Sequence, residues 1–303
     1  MTKVSQRIVE LKRERDAAIL AHFYVPGEVQ DIADCVGDSY YLSTAASELR
    51  QKVIVFCGVS FMAESIKILN PEKTVLMPDL TADCPMAHMA SGEEIKAIRS
   101  RYRDLSVVCY INSTAEIKAH SDVCVTSSNA LKVIRAIPEK NIFFIPDKNL
   151  GSYISKQLPE KNFIFNDGFC YVHAGIESAN VIKLKKAYPQ AKVVTHPECG
   201  EETAALSDHV GSTSDIIDYV ERSSHKEFIV CTESGIFYEL QKKRPGIKLY
   251  DPTKCTLCSD MKKNTPENVL RALEEPGHEI RVEDSLAEKA ILPLQKMIKY
   301  AKS

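Results

Sequence analysis

The chain carries one pattern three times over, and a triplication of this kind limits the architecture before any single residue is weighed. Three segments share a layout: AILAHFYVPGEVQDIADCVGDSYYLS (18–43), VVCYINSTAEIKAHSDVCVTSSNALKVI (107–134) and KVVTHPECGEETAALSDHVGSTSDIIDYV (192–220). Each opens on an apolar strand that ends in polar residues: His22 and Tyr24, Tyr110 and Asn112, His196 and Glu198. A short helix, an Asp and a second β-like stretch follow. A hydroxyl residue then comes five positions after the Asp, pairing Asp34 with Ser39, Asp122 with Ser127 and Asp208 with Thr213. The three Asp residues are 88 and 86 positions apart. The second halves match as well: KVIVFCGVSFMAESIKILNPEKTVLMPD (52–79), NIFFIPDKNLGSYISKQLPEKNFIFND (141–167) and EFIVCTESGIFYELQKKRPGIKLYD (227–251). Each reads strand, turn, helix, Pro-containing break and a strand closing on Asp79, Asp167 or Asp251.

Short apolar runs alternating with helical segments indicate parallel strands covered on both faces. The expected fold is α/β, with three pseudo-threefold-related three-layer αβα lobes, each holding a parallel sheet of about four strands. Lobe 1 takes residues 1–89 plus 265–303, lobe 2 takes 90–176 and lobe 3 takes 177–264. In the tail, Thr265 is the expected N-cap of a helix with Pro266 at its first position. Leu294, Met297, Ile298 and Ala301 form the apolar stripe of a last helix, expected to pack back on the first lobe.

The charge balance removes several function classes. Thirty-nine basic and 41 acidic residues leave a net charge of −2, which offers no electrostatic footprint for nucleic acid. The Lys242-Lys243-Arg244 run reads as a solvated helix end. The N-terminus lacks the apolar stretch of a secretory signal, and no run approaches the roughly 18 residues of a membrane span. A cytoplasmic protein is expected. Ten cysteines in a reducing compartment point to metal binding or catalysis rather than to disulfides.

Some of the cysteines obey the repeat. Just after each closing Asp comes Cys84, then Cys170, then Cys255 or Cys258, with 86 residues from Cys84 to Cys170 and 88 from Cys170 to Cys258. One thiol per lobe thus sits beyond the C-terminal edge of a parallel sheet, where open α/β sheets bind ligands. Cys35, Cys57, Cys109, Cys124, Cys199 and Cys231 lie in or beside apolar runs and are assigned to the core. A structural zinc site would want four ligands, usually with a second close pair. Three thiolates suit an iron–sulfur cluster that leaves one iron open to substrate. Such a centre is a Lewis acid.

Ser39, Ser127, Ser212 and Thr213 each precede a helix, where simple N-capping would explain them. Three helix N-termini gathered at one axis would also favour a polyanionic small molecule. The strand-end residues His22, Tyr24, Tyr110, Asn112, His196 and Glu198, with His173, would face the same cavity, and Glu198 is the candidate general base. Asp34 and Asp208 are read as turn or cap residues.

The stretches AHFYVPGEVQDIAD, GDSYYLS, GVSFMAESIKIL, YINSTAEIKAHSDVCVTSSNA, PDKNLGSYI, HPECGEE, HVGSTSDII, TESGIFYEL and CSDMKKNT together resemble the quinolinate synthase family, from about residue 20 to 264. The resemblance implies a [4Fe-4S] cluster held by one cysteine per lobe: Cys84, Cys170 and, by the CSDMK motif, Cys258. It also implies condensation of iminoaspartate with dihydroxyacetone phosphate, losing phosphate and water, to give the pyridine precursor of NAD. An aspartate oxidase or dehydrogenase would supply the iminoaspartate. Carried over, the catalytic set is Glu198, Tyr24, His22, Tyr110 and His196. The substrate contacts are His22, Ser39, Tyr110, Asn112, Ser127, His173, His196, Glu198, Ser212 and Thr213. The competing readings are another three-cysteine cluster enzyme, such as a reductive dehydratase, and a non-enzymatic solute-binding or metal-storage protein.

Overall fold

A computed structural model describes residues 2–253, 256–275 and 277–302. Among these residues the strands form three four-stranded sheets. The first holds β1 (Ala17–His22), β2 (Cys35–Gly37), β3 (Val53–Cys57) and β4 (Thr74–Leu76). The second holds β5 (Leu105–Tyr110), β6 (Val123–Val125), β7 (Asn141–Ile145) and β8 (Asn162–Phe165). The third holds β9 (Lys192–Thr195), β10 (His209–Val210), β11 (Glu227–Cys231) and β12 (Lys248–Tyr250). All three sheets have the same spatial order, second–first–third–fourth strand, and every pairing is parallel. The triplication expected from the sequence is therefore present, strand for strand.

The reason is visible in the burial. Every residue of β1 is buried, and β3, β5, β6, β7 and β11 are buried at all or nearly all positions, as strands between two helical layers must be. The edge strand β8 exposes both of its ends and β12 its first residue. One apolar core runs through the first two units into the third, with Phe56, Phe143, Phe144 and Phe228 among its largest members. The outer side of the third sheet has a smaller core of its own, which includes Val181, Val193, Ile229 and Cys231. Cys57, Cys109, Cys124, Cys199 and Cys231 are buried and Cys35 is half-buried against the core, in keeping with their packing assignment.

The Asp that recurs in each copy is a structural clasp. Asp34 Oδ2 accepts from Ile19 N at 2.7 Å, Asp122 Oδ2 from Val107 N at 2.7 Å and Asp208 Oδ2 from Val193 N at 2.9 Å. In return each Asp N–H donates to the carbonyl of the same strand residue. A cation closes each clasp: Lys12 at 2.6 Å, Arg99 at 2.8 Å and Lys192 at 2.7 Å. Asp122→Ala leaves the N–H of the fully buried Val107 without its acceptor. The expected cost is about 1–3 kcal/mol, read as a lower urea midpoint at unchanged slope.

The tail departs from expectation in one respect. Thr265 caps Pro266–Glu274, accepting from Asn268 N at 3.2 Å, and that helix packs on Lys3–Glu14. The last helix, Asp284–Lys302, instead lies chiefly against Ala115–Ala119, β6 and Ala130–Ala136 of the second unit. It also packs against Ser60–Leu69 of the first unit, the partner expected for it. Its stripe of Leu294 and Met297, flanked by half-buried Ile298 and Ala301, is buried as expected, but the stripe does not name its partner. At 1.5 Å per residue such a helix is about 28 Å long and spans two units. Among the described residues no helix is long and apolar enough to cross a membrane.

Candidate active site

A strand order of second–first–third–fourth reverses direction between the first and third strands. The C-terminal ends at such a switch point form a crevice. All three crevices open on one cavity. The first unit lines it with His22, Tyr24, Ser39 and Cys84, and the second with Tyr110, Asn112, Ser127, Cys170 and His173. The third contributes His196, Glu198, Thr213 and Cys258. Of the residues singled out in the sequence, Ser212 is the exception. It is fully buried, and its hydroxyl donates to Asp215 Oδ2 at 2.7 Å while accepting from Asp215 N at 3.2 Å, a capping box for Thr213–Arg222. Ser39 is likewise not the cap of its helix. Asp38 takes that role, accepting from Tyr41 N at 2.9 Å, and leaves the Ser39 hydroxyl at the cavity wall. Cys255 lies outside the described residues.

Glu198 sits at the centre of the polar set. One carboxylate oxygen lies 2.7 Å from His173 Nδ1 and 3.7 Å from His196 Nδ1, all three residues being buried. Burial alone would raise its carboxyl, but the charge and hydrogen bond of His173, with help from His196 and Tyr110, hold it at about 2. The other oxygen, Oε1, is buried without a partner, as is Asn112 Oδ1. Unsatisfied buried acceptors inside a cavity mark where a ligand's donors belong.

The two strand-end imidazoles share one device. His22 Nδ1 accepts from Tyr24 N at 3.2 Å, and His196 Nδ1 accepts from Glu198 N at 3.4 Å. Each backbone donor fixes the proton on Nε2. Burial lowers both rings to about 3, and Lys262 adds to the effect at His22, so both are neutral donors at physiological pH. The His196 and His173 rings stack at 4.6 Å. Tyr24 joins the units: its hydroxyl is 2.8 Å from Thr213 Oγ1 and 2.9 Å from Thr232 Oγ1. Burial raises the Tyr24 and Tyr110 hydroxyls, so both remain protonated. Gly235 permits this approach, because a Cβ there would lie 2.7 Å from Tyr24 Cα.

The three thiols are half-buried groups at the cavity floor. Burial pushes Cys84 up to about 12 and raises Cys170 and Cys258, and nearby carboxylates and thiols add to the effect. Soft donors in that condition fit a metal centre, whose charge is what ionises them. Three thiolates from three units, facing orphaned acceptors across one cavity, match a cluster with an open iron.

Two buried carboxylates beneath this floor escaped the sequence reading. Asp147 Oδ2 accepts from Cys170 N at 3.0 Å and its Oδ1 from Leu150 N at 2.7 Å. Glu233 Oε1 accepts from Cys258 N at 3.1 Å and pairs with Lys262 Nζ at 2.8 Å, which also donates to Tyr24 O at 2.5 Å. Both carboxylates are fully buried. They stand two residues beyond β7 and β11, where the first unit has Val59 beyond β3, so the repeat register was the available signal. Asp147→Ala frees the Cys170 loop. Outer partners of this kind are worth about 10–100-fold in metal affinity. Iron should therefore be lost correspondingly faster to a chelator, and unchanged retention would remove Asp147 from the support.

Comparison with known proteins agrees with this geometry. The family model described as NadA, quinolinate synthetase A protein, matches residues 6–299. A quinolinate synthase of Fusobacterium nucleatum is 54% identical over 298 residues, covering 98% of this chain and 99% of the relative. One of Clostridioides difficile is 52% identical over 298 residues, with 98% of each chain covered. One of Thermodesulfovibrio yellowstonii is 45% identical over 298 residues, again with 98% of each covered. With near-complete coverage on both sides and one cavity built from all three repeats, this chain belongs to the quinolinate synthase family.

Proposed function

We propose that the chain makes quinolinate, for NAD biosynthesis, by condensing iminoaspartate with dihydroxyacetone phosphate with loss of phosphate and water. The observation that carries the reading is the meeting, in one cavity, of a cysteine from each unit with the buried Glu198–His173 pair. Cys84, Cys170 and Cys258 would hold a [4Fe-4S] cluster. When bound, it supplies Lewis acidity at an open iron position for loss of a hydroxyl. Everything else falls to side chains. Neutral His22 and His196 donate from Nε2 to substrate carboxylates and exchange no proton near pH 7, as their lowered values require. Ser39, Ser127 and Thr213 offer hydroxyls at the ends of the second strands' crevices, and the backbone N–H groups that open Ser39–Glu48 and Thr213–Arg222 favour the phosphate and carboxylate charges. Ser212 acts only by shaping the latter helix end.

Ring formation needs a base at carbon and an acid at departing oxygen. Glu198, ionised at about 2, takes the proton, and His173 beside it at 2.7 Å stabilises and shuttles it. Tyr24 and Tyr110, protonated, are the donors nearest the same space. The condensation partner, iminoaspartate, is short-lived in water, so an aspartate oxidase or dehydrogenase must supply it.

An anaerobic assay tests the reading. Brown protein with about four irons and four sulfides per chain is expected to form quinolinate from the two substrates and none when either is omitted. Fully loaded protein that makes no quinolinate would falsify it.

A further inference from the structure

Cys170, His173 and Glu198 make a second, smaller donor set inside the cavity. One donor atom from each lies within 4.8 Å of the other two. His173 Nδ1 is 3.2 Å from Cys170 Sγ and 2.7 Å from Glu198 Oε2. The local sequence explains the convergence. Cys170 precedes the single turn Tyr171–Ala174, which carries His173 round to the same side, and the loop after β9 brings in Glu198. The outer shell is also in place: His173 Nε2 bonds Thr232 Oγ1 at 2.9 Å, which leaves Nδ1 to face the thiol and carboxylate. Glu198 Oε1 has no partner of its own.

We propose that these three residues form a mononuclear site for a divalent d-block cation, of the zinc or cobalt(II) class, in the cluster-free chain. The sulfur, nitrogen and oxygen set is that of a three-ligand site with a fourth position open to water. A thiolate and a carboxylate beside the imidazole nitrogen carry two negative charges, which a divalent cation cancels in a largely buried space. The site shares Cys170 with the cluster and needs neither Cys84 nor Cys258. Because Cys170 is a ligand in both arrangements, a cation bound here competes with cluster assembly and covers Glu198. The inference rests on the cluster reading only for that competition.

Cobalt(II) titrated anaerobically into full-length, cluster-free protein tests it. The expected result is about one equivalent bound, with thiolate-to-cobalt charge-transfer absorption and tetrahedral ligand-field bands. Cys84→Ser and Cys258→Ser should bind as the unmodified chain does. Cys170→Ser, His173→Gln and Glu198→Gln should lose at least about tenfold in affinity, and metal-free thermal melts of all five variants exclude misfolding as the cause. Cobalt lost equally in the Cys84 and Cys258 variants would put the ion on the three cysteines and overturn the proposal, as would full affinity in the His173 and Glu198 variants. Zinc added before reconstitution should lower iron uptake. Failure of the quinolinate assay leaves this pattern untouched, so the two readings fall separately.

Discussion

Glu198→Gln is expected to reduce quinolinate formation by about 10²–10⁴-fold, the range in which a positioned base contributes, while iron and sulfide stay at the level of the unmodified protein. The amide keeps the shape of the carboxylate and can still accept from His173, so the cavity should not collapse. What disappears is the ionised oxygen that His173 and His196 hold at about 2 against the opposing effect of burial. The same value fixes a pH signature. Glu198 stays ionised through the whole neutral range, so an acid limb between pH 5 and 8 belongs to some other group and should survive in the variant. A rate for Glu198→Gln equal to that of the unmodified enzyme, measured at matched iron content, would take the residue out of the chemistry.

Cys84→Ser, Cys170→Ser and Cys258→Ser are each expected to lose the brown absorption and bring turnover to background, while Cys255→Ser keeps both. Each of the three thiols is raised by burial, Cys84 to about 12, so ionisation depends on the metal itself. A serine hydroxyl is harder and far less acidic, and it cannot replace a thiolate on iron. Two remaining ligands would leave half the irons without protein. Iron and sulfide analysis after anaerobic reconstitution decides the matter. If Cys255→Ser loses the cluster and Cys258→Ser keeps it, the third ligand moves three residues toward the N-terminus.

How much of this was legible in the sequence follows from what a repeat can and cannot report. The period of 86–88 residues located the three sheets, their parallel sense and the strand ends that carry His22, Tyr110 and Glu198, because equivalent positions in a duplicated unit occupy equivalent places. Asp34 and Asp208 were read as turn or cap residues; with Asp122 they clasp the first strand of each unit. Ser212 was open to two readings, N-cap and substrate contact, because a hydroxyl before a helix looks the same whether it faces solvent, ligand or its own backbone; Asp215, three residues on, was the sign of the capping role the structure shows. Asp147 and Glu233 escaped because a carboxylate in a loop is usually a surface group. Only the repeat register, which puts each two residues beyond the third strand of its unit, pointed toward the part-buried cysteine N–H groups they serve. Thr232 escaped for a related reason. Its bonds to Tyr24 and His173 cross between units, and no local pattern encodes a partner 208 or 59 residues away.

The clasps have a consequence for how such a molecule matures. Each ties residues only 15 apart, so a unit can secure its central strand from local contacts as it leaves the ribosome, without waiting for the others. The cavity has no such independence, since residues of all three units line it. Nascent chains missing their final third could therefore hold each central strand in place and still lack both the helices that cover the first two units and the last cysteine of the cavity.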